Sequence, residues 1–335
     1  MTDTVIESLN EQSEVARGCL YTSKLLGAAL IVLIGIVGLK FGFEDRLAPR
    51  TTGLEGALTQ GRLDLLFMGS SHTRKSYDVQ IVEKSIGNPS LYLLSYDGVD
   101  FTAISQMLDY MVSRPDTIPK HVVVEAYSMV FARRPELQDP RYFVEAPPSL
   151  KSRIIETYFQ SHPEPSSLID VFDLVANRGN DEILAYPFYR WASRKSSYKG
   201  GRTDFKFPGL SPALFSKLVA PLWGSEPDPA QIAALEHIME LSRLYHIQLM
   251  FIDPPLPQPV SANIVVQSLK RTMRDTIIAN GFQYIDGDKM FPIGDSAMFS
   301  DSNHLSSDGR EKFTALISKE LKKWMDSTQP SFSRQ

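Results

Sequence analysis

One cysteine, Cys19, stands in 335 residues, so no disulfide closes within the chain and no thiolate zinc cluster forms. The redox compartment stays open on that count. Stability must come from a packed core, for which 43% hydrophobic against 22% charged residues is an ordinary globular balance. Disorder, collagen and coiled coil are excluded by the same figures. The chain also lacks a charge excess: 35 Lys and Arg face 39 Asp and Glu, a formal net charge of -4. No global field draws it onto nucleic acid, which is not an expected partner. Histidines number 6, and His237 and His246 are not spaced to share a helix face. No metal site and no cofactor are expected.

One local extreme stands out. Leu25–Leu39 is a run of 15 residues without an ionisable or amide side chain. At about 1.5 Å per residue it covers roughly 22 Å, short of a ~30 Å hydrocarbon core. Lys24 and Lys40 extend it by snorkelling, so residues 20–43 are long enough to span once, with Tyr21, Phe41 and Phe43 at the interfaces. A cleaved signal peptide is the alternative, but KFGFEDRLAPR after the run lacks a small-x-small site. Cys19 precedes the run and therefore is not a lipoprotein cysteine. Arg17 and Lys24 before it, against Lys40, Arg46 and Arg50 after it, leave orientation undecided.

Beyond this anchor (1–45) and a polar connector (46–61), short apolar runs alternate with helical spacing. Strands are expected at Leu63–Met68, Ser90–Ser95, His121–Ala126, Gln248–Ile252 and Phe282–Ile285. Helices are expected at Ala103–Val112, Ile232–Leu244, Val265–Ile278 and Glu311–Trp324. This alternation predicts an α/β fold with a parallel sheet covered on both faces, built from 62–130 and 230–326, with a short tail at 327–335. The stretch 131–229, rich in proline and scattered aromatics, reads as an insertion or subdomain. Within it Arg190–Lys206 carries six basic residues and one acidic one, a stripe for an anionic glycan or lipid headgroups, or a solvated loop.

A nucleophilic serine needs a turn that exposes its hydroxyl at a strand end, a histidine to take its proton and an acid to fix the imidazole. Ser71 follows the first strand and Gly69. Asp301 and His304 stand three apart before the last helix, a spacing that lets the carboxylate reach Nδ1 while Nε2 faces a serine. Ser70 is a rival nucleophile; Asp64, Asp97 and Glu125 are rival acids. His72 adjoins the nucleophile, and Asp253-Pro254-Pro255 closes a strand near the same face.

Gly69-Ser70-Ser71 after the first strand and Asp301 to His304 before the last helix resemble the first and last blocks of the SGNH (GDSL-type) hydrolase superfamily. The resemblance covers residues ~62–128 and ~230–325 and implies a three-layer SGNH-like fold. It implies Ser71 as nucleophile, His304 as general base and Asp301 as its orienting partner. It also implies an oxyanion hole from the backbone N–H groups of Ser71 and Gly98. His72, Tyr127 and Arg74 become possible substrate contacts. The family's Gly-x-Asn-Asp block is absent, and Tyr127-Ser128-Met129 stands there instead, so no asparagine donor is identified.

The N-terminal helix, the Gly-Ser-Ser spelling followed by Thr73-Arg74, and the Pro-Pro turn are similar to the membrane-anchored branch of that superfamily. That branch includes the teichoic-acid D-alanyl transfer protein and exopolysaccharide O-acetylation proteins. It implies a single-pass cytoplasmic-membrane protein with an extracytoplasmic body. Its expected activity is transfer of an acyl group, with acetyl foremost, from a membrane-bound O-acyltransferase partner to a polysaccharide acceptor. An anchored esterase or lipase, and a catalytically silent scaffold of a polysaccharide machine, are the alternatives.

Overall fold

The computed structural model describes residues 53–136, 140–173, 197–203 and 206–328, together with positions 24, 27, 28, 30–32 and 35. Met1–Pro49 and Arg50–Gln335 are separate units. In the first, the described positions are helical and Leu30, Ile31 and Val32 are exposed. The remainder of the expected spanning run, 20–43, lies outside the described residues. Among the described residues no helix is long and apolar enough to cross a membrane.

The second unit opens with helix α1 (Gly53–Thr59), where the sequence suggests only a connector. Leu54 and Ala57, one helical turn apart, bury themselves in the core, and the Leu54 N–H donates to the Tyr96 hydroxyl at 2.7 Å. Strand β1 (Leu65–Gly69) follows, then α2 (Ser71–Ser76), α3 (Val79–Ser85), β2 (Leu91–Ser95), α4 (Phe101–Val112) and β3 (His121–Glu125). The middle of the chain supplies α5 (Pro140–Glu145), α6 (Pro148–Ser161), α7 (Ser167–Asp173) and a hairpin of β4 (Ser197–Tyr198) and β5 (Gly201–Arg202). Helix α8 (Pro229–Leu244), β6 (Gln248–Asp253), α9 (Ile264–Ala279), β7 (Gln283–Asp286) and α10 (Ser307–Thr328) complete it.

The large sheet has the order β2-β1-β3-β6-β7, parallel throughout. Its strands lack polar alternation because both faces are covered. Leu66, Met68, Val122, Val124, Leu249 and Phe251 point into one core with α4, α8 and α9. Leu65, Phe67, Val123, Met250 and Ile252 point into the other, against Val82 of α3 and Phe313, Ile317 and Leu321 of α10. This period of two makes three layers from one sheet.

Part of the stretch 131–229, expected as an insertion or subdomain, packs into the main body. Phe131, Tyr142, Ala146, Leu150 and Ile154 belong to the same core as α4. Prolines obscured it: Pro148, Pro212 and Pro229 sit in the first turn of their helices, where a missing N–H costs nothing. The basic stripe at 190–206 lies mostly outside the described residues. Of its described part, Lys199 pairs with Glu83, and the Lys199 carbonyl receives the Leu93 N–H at 2.9 Å, closing the outer edge of β2.

Candidate active site

The carboxyl ends of β1, β2 and β3 bring the candidate residues together. Ser70 caps α2, its hydroxyl accepting the His72 N–H at 3.2 Å, which makes Ser71 the first helical residue. Gly69 is needed for room. A Cβ there would strike the Thr73 hydroxyl and the Glu125 carboxylate.

Glu125, buried at the end of β3, holds this turn with four hydrogen bonds. One oxygen accepts the Ser70 N–H at 2.9 Å, the Thr73 N–H at 2.7 Å and the Thr73 hydroxyl at 2.6 Å. The other accepts the Ser70 hydroxyl at 2.6 Å. Burial pushes the Glu125 carboxyl up from its ordinary range, against the pull of those donors. Glu125 is therefore the support of the serine turn and not a rival triad acid. Ser70, buried with its hydroxyl committed to Glu125, is not the exposed nucleophile.

Ser71 Oγ lies 2.8 Å from His304 Nε2, and His304 Nδ1 lies 2.9 Å from both oxygens of Asp301. Asp301 also accepts the N–H groups of Asn303 and His304, each at 2.9 Å. Burial works to raise the Asp301 carboxyl. The hydrogen bond and charge of His304, the Asn303 N–H and Lys75, 3.8 Å away, outweigh it and hold it at about 2. An ionised Asp301 accepts a hydrogen bond from Nδ1–H and fixes that tautomer, which leaves the Nε2 lone pair facing the Ser71 hydroxyl.

The expected substrate contacts occupy other places. His72 is 2% exposed, its ring 3.9 Å from that of Tyr127 and 4.8 Å from that of His304. Burial, and the nearby His304, hold its pKa well below the usual imidazole range. Tyr127 is likewise buried, its hydroxyl receiving the Asn303 amide at 3.4 Å. The two buried rings form a wall, with His72 against the His304 imidazole. Arg74 pairs with Asp97, which accounts for that rival acid, while Asp64 bonds Lys120 at 2.7 Å at the opposite end of the sheet.

Gly98 lies in the turn after β2 with φ +68°, a backbone conformation that favours glycine. Arg133 donates to the Gly98 carbonyl, lies 3.7 Å from Asp100 and stacks on Trp223 at 5.1 Å. With Arg74 gripping Asp97, the turn is fixed from both sides. Arg133 and Glu125 come from 121–133, where the sequence offered no motif.

Asp253, beyond a strand-closing turn, is part of a buried ionic cluster: Lys270 reaches Asp286 at 2.5 Å, Asp288 at 2.7 Å and Asp253 at 3.1 Å. Burial raises the Asp253 carboxyl to about 7, with Lys270 opposing and Asp288 and Asp286 reinforcing it. Among the described residues no group of three or more His, Cys, Asp or Glu side chains is disposed to hold a metal ion.

Fold and site together define an α/β protein with a Ser-His-Asp constellation at the carboxyl edge of a parallel sheet. No family model matches the chain, and no curated protein matches it in sequence. Among solved structures it is similar to a GDSL-like lipase from Bacteroides thetaiotaomicron VPI-5482, with 12% identity over 79% of this chain and 90% of that one and a TM-score of 0.38. An acetyl xylan esterase, AlAXEase, shows 12% identity over 78% and 98% at a TM-score of 0.35. A member of the lipolytic protein G-D-S-L family from Veillonella parvula DSM 2008 shows 12% over 77% and 96% at 0.30.

Proposed function

We propose that the protein is a serine-dependent acyl hydrolase, an esterase, that works through an acyl-Ser71 intermediate. The observation that carries this reading is the unbroken line from Ser71 Oγ to His304 Nε2 and from His304 Nδ1 to Asp301. His304 takes the Ser71 proton as Oγ bonds to the ester carbonyl carbon. The N–H groups of Ser71 and Gly98 face the oxyanion, and the imidazolium returns the proton to the departing alkoxide. In the second half water, deprotonated by His304, attacks the acyl carbon and frees Ser71. A sugar hydroxyl in place of that water turns the same intermediate into acyl transfer to a glycan. The shared first step is thus what the geometry supports, ahead of the acceptor. A silent scaffold is disfavoured by the intact constellation.

The test is the intact mass of the full chain after brief exposure to an activated acetyl ester. A gain of one acetyl group that disappears in Ser71→Ala, with ester turnover lowered by ~10³-fold or more in Ser71→Ala and His304→Ala, is expected. Turnover unaffected by Ser71→Ala overturns the reading. An adduct lost slowly in buffer and faster when oligosaccharide is added moves the conclusion to transfer.

A further inference from the structure

Residues 206–228 run as a strap along the site. At one end the Phe207 N–H donates to the Ser307 hydroxyl at 2.8 Å and the Leu210 N–H to the Phe299 carbonyl at 2.9 Å, beside the loop that carries Asp301 and His304. Lys75, the cation near Asp301, sits over the Phe207 ring at 4.8 Å. At the other end the Asp228 N–H reaches the Phe131 carbonyl at 2.9 Å, and Trp223 covers Arg133, which holds the Gly98 turn. Phe215 anchors the middle by inserting into the second core.

Between these ties the strap turns large apolar side chains outward. Leu214 is 58% exposed, Val219 75%, Leu222 39% and Trp223 45%. From 206 to 225 it contains no acidic residue, and its two charges, Lys206 and Lys217, are exposed. Desolvating such side chains needs an apolar partner, since a polar polymer would leave them wet. Exposed lysines beside exposed tryptophan and aliphatic residues, with the strap's two acids, Glu226 and Asp228, confined to its far end, are a composition that settles at a lipid interface. There the rings and aliphatic chains enter the headgroup boundary while the ammonium groups meet anionic headgroups. The apolar run Leu25–Leu39 in the same chain is a second feature suited to lipid.

We infer that the 206–225 strap is a docking surface for an anionic lipid bilayer, so that the mouth of the Ser71 site works against headgroups. This goes beyond the esterase reading and does not depend on it.

The experiment uses the full chain with Cys19→Ser, carrying an environment-sensitive fluorophore on Val219→Cys, reconstituted in phosphatidylcholine vesicles with and without phosphatidylglycerol. A second labelled chain carries Lys322→Cys on α10, near the opposite end of the sheet. Expected are a blue shift and at least a two-fold drop in acrylamide quenching at position 219 on adding the anionic lipid, reversed by Lys206→Glu with Lys217→Glu, and no change at 322. Equal quenching at 219 in both vesicles overturns the proposal. Leu214→Ser and Leu222→Ser together, in the chain labelled at Val219→Cys, should remove the shielding while turnover of a water-soluble ester stays as it was. That separates a failed surface from a failed active site.

Discussion

Glu125 accepts four hydrogen bonds on one buried carboxylate, and an amide in its place accepts on one atom only. Glu125→Gln should therefore set its amide nitrogen either against the Ser70 hydroxyl or against the Ser70 N–H and both Thr73 donors, and cost about 1–3 kcal/mol in a urea titration. Because Ser71 is carried on the same turn, kcat should fall while the fold persists. Asp301 gives a prediction in pH. Its folded pKa of about 2 lies below the ordinary 3.8, so its contribution to stability is complete above pH 3.8 and is lost as pH falls through about 2. Acid titrations of the wild type and Asp301→Asn should differ at pH 5 and converge at the acid end. A gap that stays constant down to pH 2 would remove the basis for an ionised Asp301.

At the scale of elements, the sheet was legible because its strands are short runs with no polar interruption, and every one of the five expected strands is present within two residues of its expected start. Helix ends were less legible: α8 begins at Pro229 and α10 at Ser307, where capping and first-turn residues carry no apolar period. The middle was less legible because α5 and α6 begin with proline and α5 and α7 run for only six and seven residues. At the site, the Asp-x-x-His spacing showed in sequence, being local. The partners of Glu125, Arg133, His72 and Tyr127 did not, although Glu125, His72 and Tyr127 were candidates, since those partners lie 35 to 55 residues away. The ends of β6 and β7 present their own test. Asp253 has a folded pKa of about 7 against an ordinary 3.8, so its share of stability is present below pH 3.8 and disappears as pH rises through 7. Asp253→Asn should flatten the fall in urea midpoint between pH 5 and 7.5, and an unchanged slope would assign that titration elsewhere.

For the whole molecule, the decisive contact is the one that spans it. Ser71 and His304 are separated by 233 positions, and α10, the last described helix, packs its Phe313, Ile317 and Leu321 in one core with Val79 and Val82 of α3, just beyond the Ser71 helix. Burial of each of those three side chains contributes about 1.5–3 kcal/mol, so the seating of α10 and the closing of the site are one event. The consequence concerns biosynthesis. A ribosome makes the serine turn 233 positions before it makes the histidine. On the esterase reading, Ser71 is throughout that interval an ordinary alcohol, inert towards esters. Its reactivity then arrives with the seating of α10 and not with the turn itself.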